Sequence, residues 1–185
     1  QTLRGEDSPT LFSLLDTCMT GMGSRLLRHW LLQPPRERTS AQQRLDAIAK
    51  LRVGPWQKLR EQLKGSTDVE RVTARIALRQ VRPRELLGLQ LTLQKTELLA
   101  PVLYGLEPYL THISQALKAP PGCAGLLERS ILSEPSALVR DGGVIAQGLD
   151  AELDELRAIQ TNCDDFLLAL EQREKARTGI ANLRV

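Results

Sequence analysis

Apolar residues recur at three- and four-residue intervals along most of the chain, the spacing of amphipathic helices rather than the alternation of half-buried strands. Ser8-Pro9, an N-cap and first-turn pair, precedes Leu11, Phe12, Leu14 and Leu15 and predicts a short helix. After Gly21 and Gly23, a helix from Ser24 to about Gln33 carries Leu27, Trp30 and Leu31 on one face and stops at Pro34-Pro35. Thr39 or Ser40 opens a third, with Leu45, Ile48 and Leu51 or Arg52 at helical spacing, and Gly54-Pro55 ends it. Trp56, Leu59 and Leu63 make a short amphipathic stretch up to Gly65. Thr67-Asp68-Val69-Glu70 reads as a capping box ahead of Val69, Val72 and Ile76. Pro83 then opens a Leu-rich helix through about Leu99, and another runs from Glu107 to Lys118 before the Pro120-Pro121-Gly122 loop.

The texture changes at Ala137. Asp141-Gly142-Gly143 between two short apolar runs predicts a tight β-hairpin over residues 137–149. Asp150 caps a long helix reaching Arg177, with Leu153, Leu156, Ile159, Cys163, Phe166 or Leu167, and Leu170 on one stripe. Asp150, Glu152, Asp154 and Glu155 sit at its start and Lys175 and Arg177 at its end, matching the helix dipole. Unbroken, it would be about 42 Å long, against a radius of gyration of about 16 Å for a compact chain of this size, so it should project. Gly179 supplies its left-handed cap, and Ile180 onward reads as the start of a strand. The predicted architecture is all-α: a multi-helix hub over residues 1–149 with the hairpin near its end, one long protruding helix over 150–179, and the first strand residues at 180–185.

Composition narrows this little. Of 185 residues 42% are hydrophobic and 3% aromatic, and 25 Lys+Arg stand against 22 Asp+Glu. That excludes disorder and favours one helical domain or one domain with an extension. A net charge of +3 is too small to argue for nucleic acid on its own. No apolar run reaches membrane length and no secretory leader is present, which predicts a soluble intracellular protein. Cys18, Cys123 and Cys163 are odd in number and widely spaced, and read as buried thiols rather than a disulfide or zinc framework. The first residue is Gln1, not Met, so a piece of something longer is expected.

The reactive groups do not converge. His29 and His112 have no partner at metal or triad spacing. Gly21-Met22-Gly23-Ser24 has glycines before a helix but lacks both a preceding strand and a Walker lysine, so helix punctuation explains it. Asp164-Asp165 would need a third carboxylate where Leu168 stands. Arg71, Arg75 and Arg79, with Arg82 and Arg84 behind, make a basic face, read as solvated or paired with acidic helices such as the one at Asp150. No catalytic residue, metal site or cofactor is expected.

One block is distinctive. From Leu11 to Pro34 the chain fits L-x-x-x-L-D-x-x-x-T-x-M-G-x-R-x-L-x-x-W-L-x-x-P, with Asp16, Thr20, Gly23, Arg25, Leu27, Trp30 and Pro34 at motif positions. Three further blocks follow in order: Arg44 with Leu45 and Ile48; Asp68, Glu70 and Arg71 with Arg75 and Pro83; and Leu153-Asp154-Glu155-Leu156-Arg157 leading to Arg173-Glu174, Thr178-Gly179-Ile180 and Leu183. In this the chain resembles the core, or lever, domain of the MutS mismatch-repair family over nearly its whole length.

The resemblance implies a segment that lies after the connector of a larger protein and stops where the DNA clamp begins. Neither Phe12 nor Phe166 makes the Phe-x-Glu mismatch-reading motif, and no Walker motif occurs. The family implies ATP and magnesium in the parent, mismatched duplex DNA, a dimer partner and MutL as partners, and a cytoplasmic location. Gly23 is expected to permit close approach, Trp30 to fill the core, and Arg25 to pair with an acid such as Asp16. Lys175, Arg177 and Arg184, nearest the implied clamp, are the candidates for DNA proximity. The stripe from Leu153 to Leu170, lacking its partner helix, is expected to pair with a second copy of the chain or to remain poorly ordered. The alternative function is a helical adaptor binding proteins through Leu-rich grooves.

Overall fold

Side-chain caps decide where several helices begin in a computed structural model of the chain, which describes residues 9–180, 182 and 183. Ser8, Arg184 and the side chain of Asp164 lie outside the described residues. The helices are α1 (Leu11–Leu15), α2 (Gly21–Leu32), α3 (Thr39–Arg52), α4 (Trp56–Leu63), α5 (Val69–Ala77), α6 (Pro83–Leu103), α7 (Pro108–Ala116), α8 (Cys123–Ser130), α9 (Ala151–Thr161) and α10 (Cys163–Thr178). They fall into two units, residues 1–144 and residues 145–185.

In the first unit α6 is the axle, packed against α4, α5, α7 and α8, while α3 packs on α7. Its two halves serve two separate apolar clusters. Toward its C-terminal end Leu99 and Leu103 bury with Ala47, Leu59 and Leu110, and toward its N-terminal end Leu89 and Leu93 bury with Val72. Pro83 supplies the first residue of α6, where the missing N–H is harmless.

Several local readings shift. Thr10 rather than Ser8 caps α1, its hydroxyl accepting the Ser13 N–H. Thr20 caps α2, so this helix starts at Gly21, three residues earlier than Ser24. The α5 cap is Asp68, while the Thr67 N–H donates instead to the Thr92 hydroxyl. Helix α8, which begins directly after the Pro120-Pro121-Gly122 loop, has no predicted counterpart. On α3 it is Ala47, with Leu51 beside it, that faces the core, leaving Leu45 at 59% and Ile48 at 50% exposure. Arg44, three residues before Ala47, lies over the Trp30 ring of α2.

No strand occurs among the described residues, so the hairpin expected over 137–149 is not formed. Val139–Asp141 winds into a 3₁₀ turn, and Gly142 and Gly143 both adopt positive φ. A hydrogen bond instead brings Val144 back to residues before the turn, its carbonyl accepting the Leu132 N–H at 3.0 Å. Apolar runs of two or three residues are too short to hold a ladder against this turn chemistry.

In the second unit Asp150 caps α9, accepting the Glu152 and Leu153 N–H groups, and Gly179 at φ 72° closes α10. The long helix expected over 150–179 is interrupted at Asn162, whose backbone leaves the helical region. The preceding Thr161 hydroxyl turns back onto the Arg157 carbonyl, a bond that competes with regular helix. Cys18 and Cys163 are exposed and only Cys123 packs partly into a core, against the expectation of three buried thiols. Cys18 sits in the α1–α2 turn and Cys163 at the helix interruption, positions that no neighbouring element covers.

Candidate functional site

Helix α2 is placed by its cap: the Thr20 hydroxyl accepts the Gly23 N–H at 3.1 Å. That occupies an amide a phosphate would have needed. A side chain at Gly23 would bring its Cβ to 3.2 Å from the Thr20 Oγ1 and 3.3 Å from the Cys18 Cβ. One residue on, Ser24 donates to Asp16 at 2.9 Å, and the Cys18 N–H donates to the same carboxylate at 3.2 Å. Burial raises the Asp16 pKa, but the bonds from Ser24 and Cys18 outweigh it and hold the group below its ordinary range.

Arg25 does not pair with Asp16. A helix turns about 100° per residue, so Ser24 faces Asp16 while Arg25 points across to the start of α5. Its Nη1 lies 2.6 Å from Asp68 Oδ2, and its Nη2 lies 2.9 Å from Asp68 Oδ1 and 2.5 Å from Glu70 Oε2. Asp68 at the same time accepts the Arg71 N–H at 3.1 Å as the α5 cap. The Arg25 fork lowers the Asp68 pKa, and the two carboxylates raise that of Arg25. Fork-on-carboxylate geometry fixes angle as well as distance, so the pair ties α2 to the start of α5.

The other motif positions make similar struts. The Arg44 guanidinium from α3 lies 3.9 Å from the centre of the Trp30 ring on α2, so this tryptophan is covered by a cation rather than sunk in the core. Arg75 lies 3.2 Å from Glu85 and donates to the Gln80 carbonyl, spanning the turn from α5 to α6. In that turn Arg79 takes φ 55°, the left-handed position usually given to glycine. Thus Arg75 pairs within its own unit. Arg71 is exposed. Leu27 is partly buried, and Pro34 follows the end of α2.

Five hydrogen bonds lay beyond sequence reasoning. Arg60 donates to the Thr17 carbonyl at 2.9 Å, Lys95 to the Lys64 carbonyl at 2.6 Å, and Ser114 to the Ala100 carbonyl at 2.6 Å. Thr92, 6% exposed, takes the Thr67 N–H and donates to the Gly88 carbonyl. Only Gly88, an isolated glycine inside a leucine-rich helix, carried a signal, since such a glycine usually marks close packing.

In the second unit Lys175 lies 2.5 Å from Glu171 and Arg177 lies 2.7 Å from Glu174, so both described candidates for DNA proximity are held by carboxylates of their own helix. Arg184 lies outside the described residues. His29 and His112 are exposed. Among the described residues no three His, Cys, Asp or Glu side chains gather to hold a metal, and no helix is long and apolar enough to cross a membrane. A family model for MutS domain III matches residues 1–183.

Proposed function

Because the chain belongs to the MutS domain III family, and so to a MutS-type mismatch-repair protein, we propose that it acts as the mechanical core of that protein, relaying rigid-body movement between an ATPase and a DNA clamp. It carries no active site of its own in this reading. ATP and magnesium act elsewhere in the parent, and contact with mismatched DNA, a dimer partner and MutL is made by the assembled protein in the cytoplasm.

The observation that carries this reading is that the motif residues serve as interhelical struts. Arg25 joins Asp68 and Glu70, 43 and 45 residues away, and Arg44 joins Trp30. Struts of this kind suit a body that must turn as one piece, because a coupling between distant sites needs an element with discrete arrangements that both sites bias. The pairing of Lys175 and Arg177 with their own helix favours a supporting rather than a reading role for this end.

The test is Arg25→Ala in the full-length protein. Mismatch affinity and ATP turnover, measured separately, should stay close to the parent's, whereas ATP-triggered release from a mismatched duplex should slow by about tenfold, within the range of ordinary allosteric couplings. Unchanged release would sink the proposal. ATP turnover by the 185-residue chain, abolished by a point substitution within it, would do the same.

A further inference from the structure

Between α9 and α10 the helical path is broken rather than smoothly curved. Asn162 has φ −115° and ψ 40°, far from helical values of about −63° and −42°, and its side chain caps nothing. Two backbone bonds straddle the gap, from the Asn162 N–H to the Ala158 carbonyl and from the Phe166 N–H to the Asn162 carbonyl, both at 2.9 Å. They keep the segments end to end. Helix α10 nevertheless starts afresh at Cys163, so its first-turn amides have no acceptor within their own helix.

On either side the chain is firmly held. Asp154 accepts the Gly148 N–H at 2.6 Å and Arg157 donates to the Ile145 carbonyl at 3.0 Å, anchoring α9. Lys175–Glu171, Arg177–Glu174 and the Gly179 cap secure the far end of α10. At the break Gln160, Thr161, Asn162 and Cys163 are all exposed, so their packing does not fix the angle. The residue types agree with the geometry. Asn is a favoured helix starter and a poor interior residue, an acid such as Asp165 suits a first turn, and Thr161 bonds backward in the manner that loosens a helix.

We propose that Thr161-Asn162 is a joint written into the sequence, about which α9 and α10 turn as two separately rigid segments. The joint is a property of this chain and does not rest on the coupling reading above. Amide hydrogen exchange and residual dipolar couplings, measured on the whole 185-residue chain, test it against Asn162→Ala and against the double variant Thr161→Leu/Asn162→Ala. In the parent chain the amides of residues 163–165 should exchange much faster than those within α9 or in the second half of α10, and the two helices should need separate alignment tensors. In the double variant exchange at 163–165 should slow about tenfold, the combined helix-propensity gain of two substitutions, and one tensor should fit both helices. The single variant, which removes no apolar contact, should fall between. One tensor fitting the parent, amides at 163–165 already as slow as those inside α10, or variants with no slower exchange would each overturn the joint.

Discussion

Gly88→Ala isolates one close approach in the first unit. A Cβ added at Gly88 would stand 2.2 Å from Thr67 Oγ1 and 3.3 Å from the Thr67 Cβ. Thr67 has no free way aside, because only one of its three staggered positions turns hydrogen toward the new Cβ, and reaching it means leaving the present rotamer. Its N–H is also held at 2.9 Å by Thr92, which donates to the Gly88 carbonyl at 2.8 Å. Helix propensity favours Ala over Gly by about 1 kcal/mol. Against that stand about 1–3 kcal/mol of overpacking and about 1 kcal/mol for the buried hydrogen bond lost when Thr67 is displaced. The net expectation is a destabilisation of about 1–3 kcal/mol, read as a lower urea midpoint at unchanged slope. Gly125→Ala in α8, where nothing lies within 4 Å of the new Cβ, is the control and should stabilise by about 0.5–1 kcal/mol. Thr67→Ala, which removes the offending oxygen, should recover most of the loss in the double variant. A Gly88→Ala protein as stable as the parent, or a double variant with no recovery, would refute the reasoning.

Asp68→Asn keeps a capping side chain but removes the charge that Arg25 grips. Because Arg25 holds the Asp68 carboxyl below its ordinary value of 3.8, the pair contributes stability above that value and loses it as pH falls through the lowered one. Thermal unfolding should therefore favour the parent chain at neutral pH by a small margin that closes under acid conditions; a margin independent of pH would contradict the assignment. Arg44→Ala should uncover the Trp30 ring, shifting its fluorescence to longer wavelength with a loss of about 0.5–2 kcal/mol in stability. Arg44→Lys, which keeps charge without the planar fork, should fall between the two, and an unshifted Arg44→Ala spectrum would argue against the stack.

What could be read from the sequence was local. Pro83, Asp150 and Gly179 act within one turn of their own helices, so their roles as starts and stops follow from chemistry alone. Orientation is another matter. The periodicity of α3 suggests Leu45 and Ile48 as its inner face, yet Ala47 faces inward against Leu99, Leu103 and Leu110, residues that lie more than 50 positions away in sequence. Arg25 was visible as a motif position, but its partners depend on how two distant helices cross, which no spacing encodes. The interruption at Asn162 lay open in the residue types and was masked by an apolar stripe that runs through it without a missed beat. The hairpin failed for the opposite reason: the Gly-Gly signal was present, but the flanking segments were too short to use it.

The division of the core along α6 bears on how the first unit assembles. Leu89 and Leu93 gather one cluster and Leu99 and Leu103 another, with no buried residue of α6 common to both. The cluster around Leu99 and Leu103 draws on α7 close by in sequence but also on α3 and α4, so it closes longer loops before its contacts mature than a simple helical pair would. The cluster around Val72 closes on α8 as well as α5. Each half of α6 therefore closes its own set of loops, which makes the helix a seam joining two apolar clusters rather than the spine of one.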